Sequence, residues 1–363
     1  MMLVPREQVA LSAHTSFEVG GPARFWLELE DPDAVAAALE WADARGVPLM
    51  VLGGGSNVLV ADRGLGALVL RMRVRGLLVR ERGGRTRVRA GAGLGWDELV
   101  GWSVEQGLGG IECLSGIPGD VGAVPVQNVG AYGQEVASCI EAVHVVERAT
   151  GRRRALSAAE CAFAYRHSAF KAAARDRYVI VAVELRLQRG APAHVAYPEL
   201  ARALARARLL SSPAAVRQTV LELRRSKSMV IDPADENHRS AGSFFVNPTL
   251  APAEAETVRD RVRSLLGADA TMPEYPAPAG RVKLGAGWLI EHAGIAKGTA
   301  LGRAAVSTRH CLALVNRGGA TAKDIVELGK LVRARVRERF GVALTPEPEL
   351  LGFEPGELAG LYD

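Results

Sequence analysis

Hydrophobic and polar positions alternate with two periods along this chain, and the changes of period mark its elements. Asp31-Pro32 opens a helix, with Val35, Ala38, Leu39 and Ala42 at helical spacing and Gly46 as its stop. "VPLMVLGGGSNVLV" (47–60) is a short apolar strand, a glycine turn and a second apolar segment. "TRVRAGAG" (86–93) alternates as a strand and turns on glycine, and "WDELVGWSVEQG" (96–107) is helical. "AVHVVERATGRRRAL" (142–156) reads as two strands about an Ala-Thr-Gly turn, and "YVIVAVELRLQ" (178–188) as the longest strand. From residue 213 the texture changes. "SPAAVRQTVLELRRSK" and "APAEAETVRDRVRSLLG" are amphipathic helices, and "TMPEYPAPAG" (271–280) is an exposed Pro-rich loop. A last helix starts at Thr321, with Asp324 at capping-box distance, a stripe of Ile325, Leu328, Val332, Val336 and Phe340, and Gly341 as its stop.

Length changes this picture by dividing it. A chain of 363 residues exceeds one simple core, and boundaries fall near residues 75–80 and 220–228. The composition, 48% hydrophobic and 23% charged, is that of a globular protein, whereas 40 glycines point to many tight turns or backbone-lined ligand loops. The net charge of +5 comes mostly from Arg, with runs at Arg71–Arg89 and Arg152–Arg154 that read as solvated faces. No nucleic-acid motif accompanies them, and only 5% of residues are aromatic. Cys113, Cys139, Cys161 and Cys311 are far apart with no CxxC pair, which argues against a disulfide framework and against a metal site. The N-terminus lacks a signal-peptide apolar region, and no apolar run approaches 18 residues. A cytoplasmic monomer without membrane insertion is the expectation.

Two glycine loops hold the candidate chemistry. "GGGSN", Gly53 to Asn57, follows a strand but is neither GxGxxG nor a P-loop. Its backbone N–H groups can line up on phosphate oxygens, with Ser56 and Asn57 adding side-chain bonds; the five residues suit a plain turn equally well. "SGIPGDVGAVPVQNVGAYGQEV" (115–136) is long, glycine-rich and costly to order, which favours pinning against a ligand. The two loops together suggest one extended anionic cofactor, contacted twice.

Seven segments in order, "HTSFEVGGPA", "LGGGSNVLV", "LSGIPGDVGAVPVQNVGAYGQEV", "AYRHSAFK", "SAGSFFVNP", "KLGAGWLIEHAGIAKG" and "LTPEPELLGF", cover nearly the whole chain. Together they resemble the UDP-N-acetylenolpyruvoylglucosamine reductases, the MurB family of flavoenzymes. The resemblance implies an α+β fold: a two-subdomain FAD-binding region of the vanillyl-alcohol-oxidase (PCMH) type at 1–78 and 79–222, and a C-terminal α+β substrate domain at 223–363. It also implies bound FAD, NADPH as reductant, and reduction of an enolpyruvyl UDP-sugar to UDP-N-acetylmuramate. FAD contacts then fall to Gly53, Gly54, Gly55, Ser56 and Asn57, and to Ser115, Gly116, Ile117, Pro118, Gly119, Gln127, Asn128, Gly130, Ala131 and Tyr132, with His14 and Ser16 as further neighbours. Another FAD oxidoreductase of the same fold, such as a polyol oxidase, is the alternative reading.

Hydride addition to an enolpyruvyl group builds negative charge toward its carboxylate and leaves a carbon to be protonated. The reaction needs a cation, a proton donor and groups that hold the enolate. By resemblance, Arg166 in "AYRHS" polarises the carboxylate, and a guanidinium suits that task through paired hydrogen bonds and a permanent charge. Ser243 in "AGSFF" is the proton donor, and Glu347 in "TPEPE" stabilises the enolate. Gly242 is read as giving the substrate room. Tyr165, Lys227, Asn247 and His292 are carried over as substrate-pocket residues, His292 standing where some members have Gln. Tyr197 in "AYPEL" matches a tyrosine that closes over substrate in the longer-loop subtype. Two departures stand out: Glu349 replaces a common Arg, and Val246 replaces a Lys found in some members.

Overall fold

The computed structural model describes residues 3–82, 85–190 and 193–362. The chain divides into two units: Met1–Val9, Ala23–Gly55 and Gly66–Ile231 form the first, and Ala10–Pro22, Ser56–Leu65 and Asp232–Asp363 the second.

The first unit is built on two sheets. One has four strands in the order Arg6–Ala10, Pro22–Leu29, Leu65–Met72, Leu49–Leu52, the last two parallel. The other has six strands. Along its main path the order is Arg153–Ser157, Ile140–Glu147, Tyr178–Arg189, Arg85–Gly91, Leu77–Arg82, all antiparallel, and Leu108–Gly109 pairs beside the end of Tyr178–Arg189. The alternation read in "TRVRAGAG" is real: Thr86, Val88 and Ala90 are buried, while Arg87 faces outward and pairs with Glu141 at 2.7 Å. The apolar sides of both sheets join helices α1 (Ala34–Asp43) and α2 (Trp96–Glu105) in one core containing Val35, Leu39, Leu68, Leu70, Trp96, Leu99, Val143 and Val183. Helices α3 (Pro198–Ala207) and α4 (Pro213–Ser226) make a smaller cluster through Leu200, Leu204, Val216 and Val220.

The second unit holds α5 (Pro252–Leu266), α6 (Ala286–His292) and α7 (Ala322–Phe340). Its four-stranded antiparallel sheet runs Ser240–Ser243, Ala313–Asn316, Ala304–Val306, Ala300–Leu301. A three-stranded sheet joins Thr249–Leu250, Val282–Leu284 and Glu274–Pro276, and Val58–Val60 pairs in parallel with Glu349–Leu351. Phe17, Leu59, Phe244, Phe245, Leu289, Val332 and Phe340 share its core.

Four readings change. Helix α1 starts at Ala34, because the Asp31 carboxylate accepts from the Asp33 N–H and closes a turn before the helix begins. The segment 271–280 is not all loop, since Glu274–Pro276 pairs along Val282–Leu284. Helix α3 has no counterpart in the sequence reading, although Pro198 at its first position and Leu200 and Leu204 one turn apart announce it. Arg71 is not on a solvated face: it is mostly buried and paired with Asp120.

Candidate active site

In the first unit the two glycine loops meet backbone to backbone. A Cβ added to Gly54 would stand 2.5 Å from the Gly119 Cα, and one added to Gly53 would stand 3.1 Å from the Ala123 Cβ. Part of the glycine requirement in "GGGSN" is therefore packing against the second loop. Among the described residues, no hydrogen bond engages the backbone N–H of Gly54, Gly55 or Gly119, so donors remain available where the loops join. Unengaged N–H groups on side-chain-free backbone fit the diphosphate of a dinucleotide.

The second loop is anchored at its start. The Gly116 N–H donates to Asp97 at 2.6 Å, and Asp97 also accepts two bonds from Arg217, at 2.5 and 2.9 Å. Burial opposes the Asp97 charge, but the Arg217 bonds and the Gly116 N–H outweigh it and hold the carboxyl below its usual range. Asp120, next to Gly119, pairs with Arg71; there burial wins and pushes the carboxyl up. The Ser115 hydroxyl donates inward to the Glu112 carbonyl at 2.7 Å. The Gly116 N–H and the Ser115 hydroxyl are thus occupied by the protein itself.

Gly54→Ala is expected to force the loops apart. The obstacle is backbone, which cannot rotate away, and overpacking of this kind costs about 1–3 kcal/mol. Flavin absorbance per mole of purified protein should fall together with the melting temperature. Gly66→Ala, where a Cβ meets nothing within 4 Å, should leave both unchanged. Full flavin content in Gly54→Ala would show that the contact between the loops is dispensable.

Arg166 sits in a tight turn. Ala164 and His167 exchange two backbone hydrogen bonds of 3.0 Å, leaving Tyr165 and Arg166 as the central pair, with Arg166 at φ 51°. A non-glycine residue there is strained and persists only where its surroundings impose it. Arg166 lies over the Tyr165 ring at 5.2 Å, and its Nη2 donates to the Gly130 carbonyl at 2.6 Å. Tyr132, Tyr197 and Lys227 also gather in this unit. The two tyrosine rings meet edge to face at 5.6 Å, and the Lys227 Nζ stands 5.9 Å from the Tyr132 ring and 2.6 Å from Glu199. Burial pushes the Tyr132 hydroxyl up to about 12.

In the second unit Ser243 and Glu347 are brought together by backbone. The strand Ser240–Ser243 changes register at Gly242, whose φ of 73° demands glycine, and a bulge of this kind re-aims the side chain that follows it. The sequence reading gave Gly242 to substrate room; the left-handed conformation is the structural requirement. Past the bulge, the Phe244 carbonyl accepts the Glu347 N–H at 2.8 Å, Phe245 bridges to Pro346, and the Val246 N–H donates to Thr345 at 3.1 Å. Phe244 and Phe245 are fully buried with their rings 5.1 Å apart, which anchors the segment. Ser243 and Glu347 are both half-buried, and the Ser243 hydroxyl has no hydrogen-bond partner among the described residues. Asn57 joins them: its side chain donates to the Glu347 carbonyl at 3.4 Å, and its own carbonyl accepts from the Glu349 N–H at 3.0 Å.

Several carried-over residues have structural partners. The Ser16 hydroxyl donates to the Ser240 carbonyl at 2.6 Å, and the Asn247 side chain accepts the Ala286 N–H at the start of α6. His292 stacks on Trp288 at 3.8 Å, and its Nδ1 lies 2.8 Å from the Trp288 carbonyl. Asp97 and Glu199 escaped the sequence reading, because a lone carboxylate on a helix carries no signal until its partner is in view.

Comparison with known proteins fits this arrangement. Residues 23–157 match the FAD binding domain family, and residues 232–351 match the C-terminal domain of UDP-N-acetylenolpyruvoylglucosamine reductase. The chain is 48% identical over 347 residues to the UDP-N-acetylenolpyruvoylglucosamine reductase of Thermobifida fusca, covering 95% of this chain and 97% of that one. It belongs to the UDP-N-acetylenolpyruvoylglucosamine reductase family. The Streptomyces avermitilis reductase is 47% identical over 347 residues, covering 95% and 94% of the two chains. The crystal structure of the Thermus caldophilus enzyme superposes with a TM-score of 0.64 at 27% identity, covering 96% of this chain and all of that one. The chain is accordingly an FAD-binding oxidoreductase of peptidoglycan precursor synthesis, with an α+β flavoenzyme fold. Among the described residues no helix is long and apolar enough to cross a membrane.

Proposed function

We propose that this reductase uses NADPH to reduce the enolpyruvyl group of UDP-N-acetylglucosamine enolpyruvate to UDP-N-acetylmuramate. FAD, when bound, supplies the hydride. Arg166 grips the substrate carboxylate and favours the charge that builds toward it. Ser243 delivers the proton to the carbon beside that carboxylate, and Glu347 steadies the enolate. Lys227 exchanges Glu199 for a charged group of the nucleotide, and Tyr197 closes over the sugar nucleotide as in the longer-loop subtype. Asn247 and Tyr165 line the substrate pocket; His292, committed through Nδ1 to its own helix, is the weakest member of the set.

The FAD contacts are the N–H groups where the two glycine loops join, together with Ser56, Asn57 and the backbone of 117–119 and 130–132. The division of the flavin region into 1–78 and 79–222 stays part of this proposal; the two sheets of the first unit join close to it, between the strands Leu65–Met72 and Leu77–Arg82. The single observation that supports the reading is the pairing of Phe244–Val246 with Thr345–Glu347, which draws the backbone segments bearing Ser243 and Glu347 together, with no hydrogen-bond partner for the Ser243 hydroxyl among the described residues.

Anaerobic NADPH oxidation by the purified holoenzyme tests it. Without the enolpyruvyl UDP-sugar, one equivalent of flavin should bleach and the reaction should stop. With it, NADPH consumption should become catalytic and one UDP-N-acetylmuramate should appear per NADPH. Oxygen consumption driven by polyols, with no response to the UDP-sugar, would instead mark a polyol oxidase.

A further inference from the structure

Asn128 was assigned above to the cofactor, but its side chain is spent elsewhere. Its amide nitrogen donates to the Glu135 carboxylate at 2.8 Å and to the Ala164 carbonyl at 3.0 Å, and its oxygen accepts the Ala137 N–H at 3.1 Å. Both N–H donors are used, and the residue is 1% exposed, so no donor is left for a ligand. Ala164 is the first residue of the turn that bears Arg166. Its carbonyl accepts from both His167 and Asn128, which fills its two acceptor positions.

Two more contacts join the same segments. The Ser168 hydroxyl donates to the Val126 carbonyl, and the Arg166 Nη2 donates to the Gly130 carbonyl. Gly130 lies opposite Glu135 in a two-stranded pairing, and a Cβ on Gly130 would stand 2.9 Å from the Glu135 Cγ and 3.2 Å from the Arg166 Nη1. Glu135 and Arg166 therefore flank one backbone position, and Asn128 ties the first of them to the turn of the second.

We infer that Asn128, backed by Glu135, is the positioning residue of Arg166: it holds the strained turn 164–167 against the second glycine loop and so fixes where the guanidinium points. This rests on the role proposed for Arg166. It assigns the Asn128 side chain to the substrate half of the reaction instead of to the flavin.

The test uses the FAD-loaded full chain. Asn128→Ala should lower kcat/KM for the enolpyruvyl UDP-sugar about tenfold to a hundredfold, the usual size for a displaced positioning contact. FAD content and the rate of flavin reduction by NADPH should stay within about twofold. Glu135→Gln should retain near-normal turnover, because its side-chain oxygen still accepts from Asn128. In the double variant, Asn128→Ala should add no more than about twofold to the defect of Arg166→Lys, since both act through one group.

Hydrogen exchange at the Ala164 and His167 amides gives a readout independent of turnover. Both should exchange faster in Asn128→Ala, with the strand Ile140–Glu147 unchanged. If Arg166→Lys keeps full activity, the proposed role of Arg166 fails, and the exchange result alone decides whether Asn128 holds the turn. Flavin loss in proportion to activity, full additivity with Arg166→Lys, or unchanged exchange would each overturn the inference. Should Asn128→Ala not fold, Glu135→Ala removes one of the three bonds and should shift exchange and kcat/KM in the same direction by less.

Discussion

Ser243→Ala is expected to leave flavin reduction by NADPH intact and to cut turnover of the enolpyruvyl UDP-sugar by about a hundredfold to ten-thousandfold, the range that a positioned proton donor contributes. The separation of the two half-reactions is what makes the result diagnostic. Ser243 is absent from the glycine loops, so its loss leaves the flavin loops intact. The variant should also fold normally. Among the described residues the hydroxyl has no partner to abandon, and the segment is held by buried Phe244 and Phe245 and by backbone bonds that alanine preserves. Melting temperature and FAD content should match the parent. Ser243→Cys should recover part of the rate, since a thiol with an ordinary pKa near about 8.5 is a stronger acid than a hydroxyl. Stopped-flow absorbance of the flavin separates reduction from reoxidation in each variant. Reoxidation by substrate at the parental rate in Ser243→Ala would remove Ser243 as the proton donor.

How much of this was legible in the chain depends on the range of the interaction. Helix α7 was readable from end to end: Thr321 and Asp324 exchange their capping bonds, the five stripe residues are fully buried, and Gly341 stops the helix at φ 73°. Those signals are local, and local propensity agrees with the packing. The strands of the second unit left almost no trace, because each is two to four residues long and period-2 alternation cannot register over so few positions. Helix α3 lay next to a tyrosine read for its function, and its two-leucine stripe passed unnoticed.

The site divides the same way. Glycine-rich spacing pointed to the loops, and the family pattern supplied Arg166, Ser243 and Glu347. Neither revealed that Gly54 is needed by Gly119, or that Asn128 serves Ala164, since those partners are 65 and 36 residues away in the chain. Asn57 is the sharpest case. The five residues around it suit a phosphate-binding loop or a plain turn equally well, and neither reading shows that the strand that follows, Val58–Val60, lies beside Glu349–Leu351, so that Asn57 reaches the backbone of Glu347. A parallel pairing across some 290 residues cannot be inferred from either segment alone.

Glu347→Gln should separate the charge and acidity of this residue from its shape. The backbone of Glu347 is held by its own contacts: its N–H is bound by Phe244, its carbonyl receives Asn57, and Pro346 and Pro348 limit the chain on both sides. An isosteric amide therefore changes the group without moving its backbone attachment. If the carboxyl serves the enolate as a proton-sharing partner, the amide has no comparably acidic proton, and kcat should fall about a hundredfold or more. The KM for the UDP-sugar and the rate of flavin reduction should change little, because the interaction strengthens only as the enolate forms. Arg166→Lys should behave differently. A lysine keeps the positive charge but loses the two-pronged grip on a ground-state carboxylate, so its defect should include a raised KM. Measuring kcat and KM for both variants under the same NADPH saturation distinguishes the two roles. Equal effects on KM in Glu347→Gln and Arg166→Lys would mean that both groups bind the substrate alike and that neither is reserved for the enolate.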